Sequence, residues 1–170
     1  MSVDIVITPA RRDDLPEIQR LAHDIWHAHY PGIITREQIG YMLERGYATG
    51  VLEEFIDGPD SGIELALADG LRVGFAAWYA TGTPGEVKLD KLYVLQAYQR
   101  QGVGARLIAR VESAAKLAGA TTLVLNVNKN NTQAIRAYEK HGFAIRASVE
   151  VDIGHGFVMD DYVMAKPLAR

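Results

Sequence analysis

The stretch Gln99-Arg100-Gln101-Gly102-Val103-Gly104-Ala105-Arg106-Leu107 joins a predicted strand to a predicted amphipathic helix. A helix begins with unpaired backbone N–H groups and a partial positive charge, so its first turn favours a phosphate group. Two glycines remove the Cβ atoms that would hold a ligand away from the backbone, and they permit unusual dihedral angles. Arg100 and Arg106 can add positive charge at the rim. The stretch therefore predicts a pyrophosphate site.

Two common nucleotide-binding motifs do not match this turn. The dinucleotide fingerprint has a third small residue three places after the second glycine, where this chain has Leu107. The phosphate loop of nucleotide hydrolases needs a Gly-Lys-Ser/Thr sequence, which the chain lacks. Two interpretations stay open at this point. The turn binds another pyrophosphate-bearing ligand, or its glycines serve only the reversal of the chain.

The elements around the turn predict one mixed α/β domain over residues 1–170. The predicted order is β-α-α-β-β-β-α-β-α-β-β, with strands at 3–7, 63–68, 73–80, 87–95, 121–127, 143–153 and 157–168. A helix opened by Thr35 is predicted to continue as far as Phe55. Neither a repeat nor a linker-like run suggests a second domain.

The composition is that of an ordinary globular protein, with 48% apolar and 23% charged residues. A formal net charge of −3 argues against a nucleic-acid partner. The chain has no cysteine, which excludes disulfides, thiolate nucleophiles and cysteine-based zinc sites. His23 and His27 have metal-ligand spacing but no evident third ligand, so no metal is expected. Without a secretory signal or an apolar run of about 20 residues, a cytoplasmic protein with no membrane partner is the expectation.

Two motifs resemble the signatures of the GNAT superfamily of N-acetyltransferases. Gln99-x-x-Gly102-x-Gly104, after the strand Lys91-Leu92-Tyr93-Val94, is similar to the acetyl-coenzyme A signature of that family. Asn131-x-x-Ala134-x-x-x-Tyr138-x-x-x-Gly142-Phe143 follows at the family's spacing. The resemblance covers nearly the whole chain in element order and residues 88–143 in motif detail. It implies a single-domain, mostly antiparallel sheet of about seven strands, flanked by helices and splayed between strands 4 and 5.

The resemblance also implies acetyl-coenzyme A as the co-substrate, without a metal. Its pyrophosphate would lie on the backbone amides of residues 100–105, and its pantetheine arm would run along strand residues 92–94 like an added strand. The implied cofactor-binding residues are Leu92, Tyr93, Val94, Gln99, Arg100, Gln101, Gly102, Val103, Gly104, Ala105, Asn126, Asn131, Ala134 and Tyr138.

The second motif places Asn131, Ala134 and Tyr138 on one helix face. In the resemblance, Asn131 contacts the cofactor arm, although it is also a favoured helix N-cap. The resemblance implies that Tyr138 donates a proton to the departing coenzyme A thiolate. A phenol with a pKa of about 10 is a suitable donor to a thiolate with a pKa of about 8.5. The alternative is a tyrosine that only packs between helix and sheet.

Asp90 is the candidate general base. Strand alternation predicts that it shares a face with Leu92 and Val94. Some polyamine-acetylating relatives have an acidic residue at this place, nine residues before Gln99. The alternative is a solvated strand carboxylate. Asn126 stands where other relatives carry a glutamate base, and an amide cannot act as one.

The end of the chain predicts an acceptor site. Clustered acidic residues near the final hairpin would attract a cationic amine, such as a polyamine or a lysine side chain, or they form a solvated loop. Aromatic residues of the first helices form either a wall of that site or part of the core. The residues near the final hairpin are the aspartates Asp152, Asp160 and Asp161 together with His155. The aromatic residues of the first helices are Trp26, Tyr30 and Tyr41.

These observations predict direct acetyl transfer, in a ternary complex, to a small-molecule or protein amine. Two alternatives remain, a non-catalytic module that senses acetyl-coenzyme A and a nucleotide-binding regulatory protein. An exposed final strand could also pair across a homodimer.

Overall fold

A computed structural model describes residues 3–169, which form one seven-stranded sheet flanked by helices. The strands lie in the order β1-β2-β3-β4-β5-β7-β6, and the neighbours are antiparallel except for the parallel pair β4–β5. The predicted fold class is therefore confirmed. The elements are β1 (Ile5–Pro9), α1 (Leu15–His29), α2 (Arg36–Gly46), α3 (Thr49–Asp57), β2 (Ser61–Ala68), β3 (Leu71–Ala80), β4 (Glu86–Val94), α4 (Val103–Leu117), β5 (Thr122–Asn128), α5 (Thr132–Lys140), β6 (Ala144–Gly154) and β7 (Phe157–Pro167).

Apolar side chains form one core on each face of the sheet. Helix α4 packs Leu107 and Val111 against one face, together with Leu123 of β5. Helices α1 to α3 cover the other face around Phe75 of β3. The apolar stripe of α1 produces this packing, because residues three and four positions apart lie on one side of a helix. In the described part of the chain, none of the helices has the length and apolarity needed to cross a membrane.

The helix predicted from Thr35 to Phe55 is two helices, so that prediction is wrong. Thr35 does cap α2, and its hydroxyl accepts a hydrogen bond from the Gln38 N–H at 3.1 Å. The chain leaves the helical conformation at Tyr47, whose φ is −123° and ψ is 18°. The Tyr47 ring is buried edge-on against Phe75, with the ring centroids 5.9 Å apart. Packing of this ring overrides a local pattern that would have allowed a continuous helix.

The parallel strands β4 and β5 separate after a short contact. Their register pairs Glu86 with Thr122 and ends at Lys88 with Val124. Beyond this point β4 continues along β3 as far as Val94, and β5 continues along β7. The predicted splaying between strands 4 and 5 is confirmed, and it leaves a wedge inside the sheet.

A β-bulge in β4 changes which face each residue uses. Consecutive residues of β3 pair with Lys91 and Leu89, so Asp90 is the extra residue on β4. Leu92 and Val94 pack on the α4 side. The Asp90 carboxylate instead contacts the Lys91 ammonium, which lies on the side of α2 and α3. The expectation that Asp90 shares a face with Leu92 and Val94 is therefore wrong, because strict alternation ends at the bulge.

The final strand does not form an edge of the sheet. β7 lies between β5 and β6, so the edge strands are β1 and β6. The expectation that the last strand is free to pair across a dimer is therefore wrong, because the chain turns back and places β6 outside it. A homodimer stays a prediction, with β6 as the strand available for pairing.

Candidate active site

A cleft of about 1140 Å³ occupies the wedge between β4 and β5. One end lies at the start of α4 and along α5. The other end lies between α1, α2 and the β6–β7 hairpin. A single cavity therefore connects the glycine-rich turn to the region predicted to receive the acceptor.

The turn before α4 opens its backbone towards the cleft. Arg100 and Gly102 have φ values of 64° and 84°, in the left-handed region, and Gly102 is the N-cap of α4. The Gln99 side chain donates a hydrogen bond to the Val94 carbonyl at 3.2 Å, which ties the turn to the end of β4. A Cβ atom built on Gly102 or Gly104 meets no atom of the described chain within 4 Å. This space, at a helix start with free N–H groups, suits an anionic ligand.

Most of the predicted cofactor-binding residues line the cleft: Leu92, Tyr93, Val94, Gln99, Arg100, Gly102, Gly104, Ala105, Asn126, Asn131, Ala134 and Tyr138. Two others turn their side chains away from it. Val103 is buried in the core, and the Gln101 side chain donates to the Ala97 carbonyl at 3.2 Å. These two residues can contribute only backbone groups. The Arg106 guanidinium donates to the Ile5 carbonyl of β1, so the expected rim charge from Arg106 is wrong.

Basic side chains of α5 are part of the cleft, and the sequence reasoning missed them. Arg136 and Lys140 both line it and are separated by one helical turn. The available signal was their i,i+4 spacing, which places both on one side of a helix that already carries the second motif. Together with Arg100 they give the α4–α5 end of the cleft a positive charge.

Tyr138 lies inside the cleft with its ring fixed by packing. The ring contacts Phe143 edge-on, with centroids 5.6 Å apart. Burial raises the pKa of Tyr138 well above its usual value, with a smaller contribution from Tyr30. The phenol therefore stays protonated at neutral pH. A protonated hydroxyl that lines the cleft is in the form that a proton donor requires.

Asn131 is the N-cap of α5. Its side-chain oxygen accepts a hydrogen bond from the Ala134 N–H at 3.4 Å. The same oxygen lies 3.1 Å from Nε2 of His29 at the end of α1. Asn131 thus connects α1 to α5 beside the cleft, and its contact with a cofactor stays a prediction.

Asp90 lies in the cleft next to a cation. Its carboxylate is 3.0 Å from the Lys91 ammonium, and the Lys91 side chain is only 9% exposed. That ammonium also lies over the Tyr47 ring, 4.6 Å from its centroid. The Asp90 carboxylate therefore already has a partner that stabilises its charge.

Aromatic side chains form a wall at the acceptor end. Trp26, Tyr30, Tyr47 and Tyr93 all line the cleft there. The hydroxyls of Tyr30 and Tyr93 are hydrogen-bonded at 3.0 Å. Burial raises the pKa of both phenols. Tyr41 lies elsewhere, because its hydroxyl donates to the Ile153 carbonyl at 2.6 Å and so attaches α2 to the β6–β7 hairpin.

The three aspartates and the histidine that cluster near the final hairpin point in different directions. Asp160 pairs with Lys129 at 2.7 Å, and Asp152 accepts a hydrogen bond from the Gly154 N–H at 2.8 Å. His155 packs on Tyr41, outside the cleft lining. Of these four, Asp161 alone lines the cleft, and it is 4% exposed. Burial raises the pKa of Asp161, while the nearby Asn126 side chain lowers it again in part.

Residues 18–143 match the family model described as the Acetyltransferase (GNAT) family. An uncharacterised N-acetyltransferase of Mycobacterium tuberculosis is 30% identical over 155 residues, which cover 91% of this chain and 98% of that protein. A spermine/spermidine N(1)-acetyltransferase of Bacillus subtilis is 30% identical over 67 residues, which cover 39% of this chain and 44% of that enzyme.

Solved structures share the fold. The PaiA N-acetyltransferase of Thermoplasma acidophilum, in complex with coenzyme A, superposes with a TM-score of 0.82 at 23% sequence identity. The match covers 96% of this chain and 99% of that chain. At this level of identity the likeness extends to the fold, which includes the arrangement of strands around the wedge.

Proposed function

Because this chain belongs to the acetyltransferase (GNAT) family of N-acetyltransferases, we propose that it transfers acetyl from acetyl-coenzyme A to a primary amine. The transfer is direct, with both substrates in the cleft together. The observation that carries the proposal is the continuity of the cleft. It runs from the glycine turn before α4, through the gap between β4 and β5, to the aromatic wall beside α1.

The residues of the α4 end fit coenzyme A. Space is open where Cβ atoms of Gly102 and Gly104 would lie, so a diphosphate can approach the first N–H groups of α4. Residues 92–94 are unpaired with β5 in the described register, so one side of their backbone is free to bond the pantetheine amides. Arg136 and Lys140 lie where they can attract the remaining phosphate.

The chemistry follows from the groups around the gap. The thioester supplies an activated acetyl group. The neutral amine nitrogen forms a bond to the acetyl carbon, the C–S bond breaks, and the nitrogen loses one proton. Tyr138 gives its hydroxyl proton to the sulfur, because the phenol is protonated at neutral pH and lines the gap in which the C–S bond breaks. The chain has no cysteine, which is consistent with attack by the amine itself.

The test is release of coenzyme A from acetyl-coenzyme A in the presence of an amine panel. The panel contains monoamines with apolar bodies, polyamines, amino acids and peptides with a free N-terminus. We expect thiol release that depends on one class of amine, with an acetylated product of the matching mass. Binding of acetyl-coenzyme A without turnover across the panel would instead support a non-catalytic sensing module.

A further inference from the structure

We propose that Asp161 of β7 binds the ammonium group of the acceptor and receives the proton that this amine loses. The inference rests on the proposed function and assigns the group that prepares the acceptor. The register of β5 and β7 places Asp161 directly opposite Asn128 and diagonally across from Asn126. All three residues line the cleft where β4 and β5 have separated.

The Asp161 carboxylate has an oxygen without a partner. The residue is 4% exposed, and its Oδ1 has no hydrogen-bond partner among residues 3–169. A buried carboxylate in this condition is costly unless a donor or a cation satisfies it. An ammonium group that enters the cleft supplies both the positive charge and the N–H donor.

The charged and titratable groups around Asp161 leave this role open. Asp160 of β7 already pairs with Lys129, so the Lys129 ammonium is held by another carboxylate. Lys88 of β4, which also lines the cleft, lowers the pKa of Asp161 through its positive charge. The Asp161 charge in turn raises the pKa of Tyr30, the C-cap residue of α1. Burial has the largest effect and raises the pKa of Asp161. This direction favours a carboxylate that takes up a proton during turnover.

The two other candidate positions are less suitable. Asp90 already balances the buried Lys91 ammonium, so protonation of Asp90 would remove the partner of that cation. Asn126 carries an amide, which has no basic site for this proton. The base is therefore expected one strand away from Asn126, on β7.

The surroundings of Asp161 also indicate the class of acceptor. Met42, Val151, Ile153 and Met159 make the walls of this end largely apolar. Of the three aspartates near the final hairpin, only Asp161 lines the cleft. One free carboxylate among apolar walls fits a primary amine with a single cationic centre on an apolar body. A polycation would need further carboxylates along the cleft.

The proton balance is simple. The ammonium transfers one proton to Asp161, and the neutral nitrogen attacks the acetyl carbon. The C–N bond forms, the C–S bond breaks, and Tyr138 supplies one proton to the sulfur. The second ammonium proton leaves to water as the amide forms. Asp161 and Tyr138 return to their starting states by exchange with solvent in the open cleft.

The experiment compares Asp161→Asn with one matched variant, Asp160→Asn, at the neighbouring position. Coenzyme A release is measured over a pH series with 2-phenylethylamine and spermidine, and at the neutral end of the series with hydroxylamine, which is uncharged there. The rate without protein is subtracted, because hydroxylamine also attacks thioesters directly. We expect Asp161→Asn to lower kcat/KM for 2-phenylethylamine by about 10²-fold or more and to remove the acidic limb of its pH profile. For the same variant, kcat/KM for hydroxylamine should fall much less, because a neutral nucleophile needs no deprotonation before attack. Asp160→Asn should retain the profile of the wild-type protein, because the Asp160 carboxylate pairs with Lys129 and does not line the cleft.

A binding measurement separates this inference from the proposed function. Calorimetry follows 2-phenylethylamine binding to the coenzyme A complex, where no transfer can occur. Weaker binding to Asp161→Asn than to Asp160→Asn supports the inference even if turnover is absent. An active wild-type protein with an unaltered Asp161→Asn profile overturns the inference and leaves acetyl transfer intact. A clear preference for spermidine overturns the assigned acceptor class.

Discussion

At the residue scale, the hydroxyl of Tyr138 can be removed without changing the packing of its ring. Tyr138→Phe keeps the ring that packs on Phe143, so the fold and the shape of the cleft should be retained. We expect kcat to fall by about 10²-fold, since one positioned proton donor is lost, while the Kd of coenzyme A changes little. Steady-state kinetics and calorimetry measure the two quantities.

Tyr162→Phe is the matched control for that variant. Tyr162 is a partly buried tyrosine that packs against the same core but does not line the cleft. Tyr162→Phe should retain both the kcat of the wild-type protein and its affinity for coenzyme A. Full turnover in Tyr138→Phe would remove Tyr138 from the reaction and leave it a packing residue.

The buried charge of Asp161 predicts a pH dependence of stability. An unfolded Asp has a pKa of about 3.9, and burial raises the folded pKa. Between these two values the folded protein binds more protons than the unfolded chain, so Asp161 lowers stability as the pH rises. Asp161→Asn lacks this charge. Its free energy of unfolding should match that of the wild type below the unfolded pKa of about 3.9. It should exceed that of the wild type above the folded pKa of Asp161.

Urea unfolding of both proteins from about pH 3 to pH 8 covers both edges of the window between the two pKa values and measures that difference directly. Other carboxylates change the stability of both proteins alike, so their effects cancel in the difference. A constant difference across the series would show that Asp161 is not destabilised by burial, and would weaken its assignment as the acceptor's anchor.

The residues that sequence reasoning located best are those held by local geometry. Asn131 is the N-cap of α5, and Tyr138 lies two turns later inside the cleft, as helical periodicity predicts. Asp90 was misplaced because a bulge depends on the partner strand. Asp161 was part of a cluster in the sequence, and only the register of β5 and β7 separates it from Asp160.

At the element scale, the start of α4 provides a steric test of the diphosphate site. Gly104 lies in the first turn of α4 without a positive φ, and a Cβ atom there points into open space. Gly104→Ala should therefore fold normally and become more stable by about 0.5–1 kcal/mol. The added methyl group occupies space required by the ligand. We expect the Kd for coenzyme A to rise at least about tenfold, or 1.4 kcal/mol.

Gly40→Ala is the control for this steric effect. Gly40 lies within α2, also without a contact for an added Cβ atom, and outside the cleft lining. It should gain similar stability and keep its affinity for coenzyme A. Equal affinities in the two variants would mean that the ligand does not approach the first turn of α4.

Local periodicity in the sequence predicts the order and type of the helices and strands. It does not predict where a helix breaks or where a strand lies in the sheet. The break between α2 and α3 arises where the Tyr47 ring packs on Phe75, a contact between distant parts of the chain. The outward position of β6 likewise depends on how the last hairpin joins β5. Such features depend on tertiary packing, which a one-dimensional pattern does not contain.

At the scale of the whole molecule, the early separation of β4 from β5 creates the site. β5 pairs with β4 only at its start but with β7 along its whole length, and β4 likewise stays paired with β3, so the sheet opens between β4 and β5 without losing the pairing of either strand on its other side. The open backbone of β4 and the start of α4 then face the same space. Binding and chemistry are thereby placed in a gap that the fold itself produces.

A ligand that fills this gap should stabilise the entire fold. A co-substrate at a hundredfold excess over its Kd adds about 2.7 kcal/mol to the free energy of unfolding. For a chain of this size, that energy corresponds to a rise in Tm of about 5–10 °C. Acetyl-coenzyme A should produce the rise, whereas NAD and ATP at equal concentration should not, because they lack an amide-bearing arm for β4. Gly104→Ala should lose most of the shift and Gly40→Ala should keep it. Equal shifts with all three ligands would indicate a general phosphate site, and the wedge between β4 and β5 would then have no part in recognition.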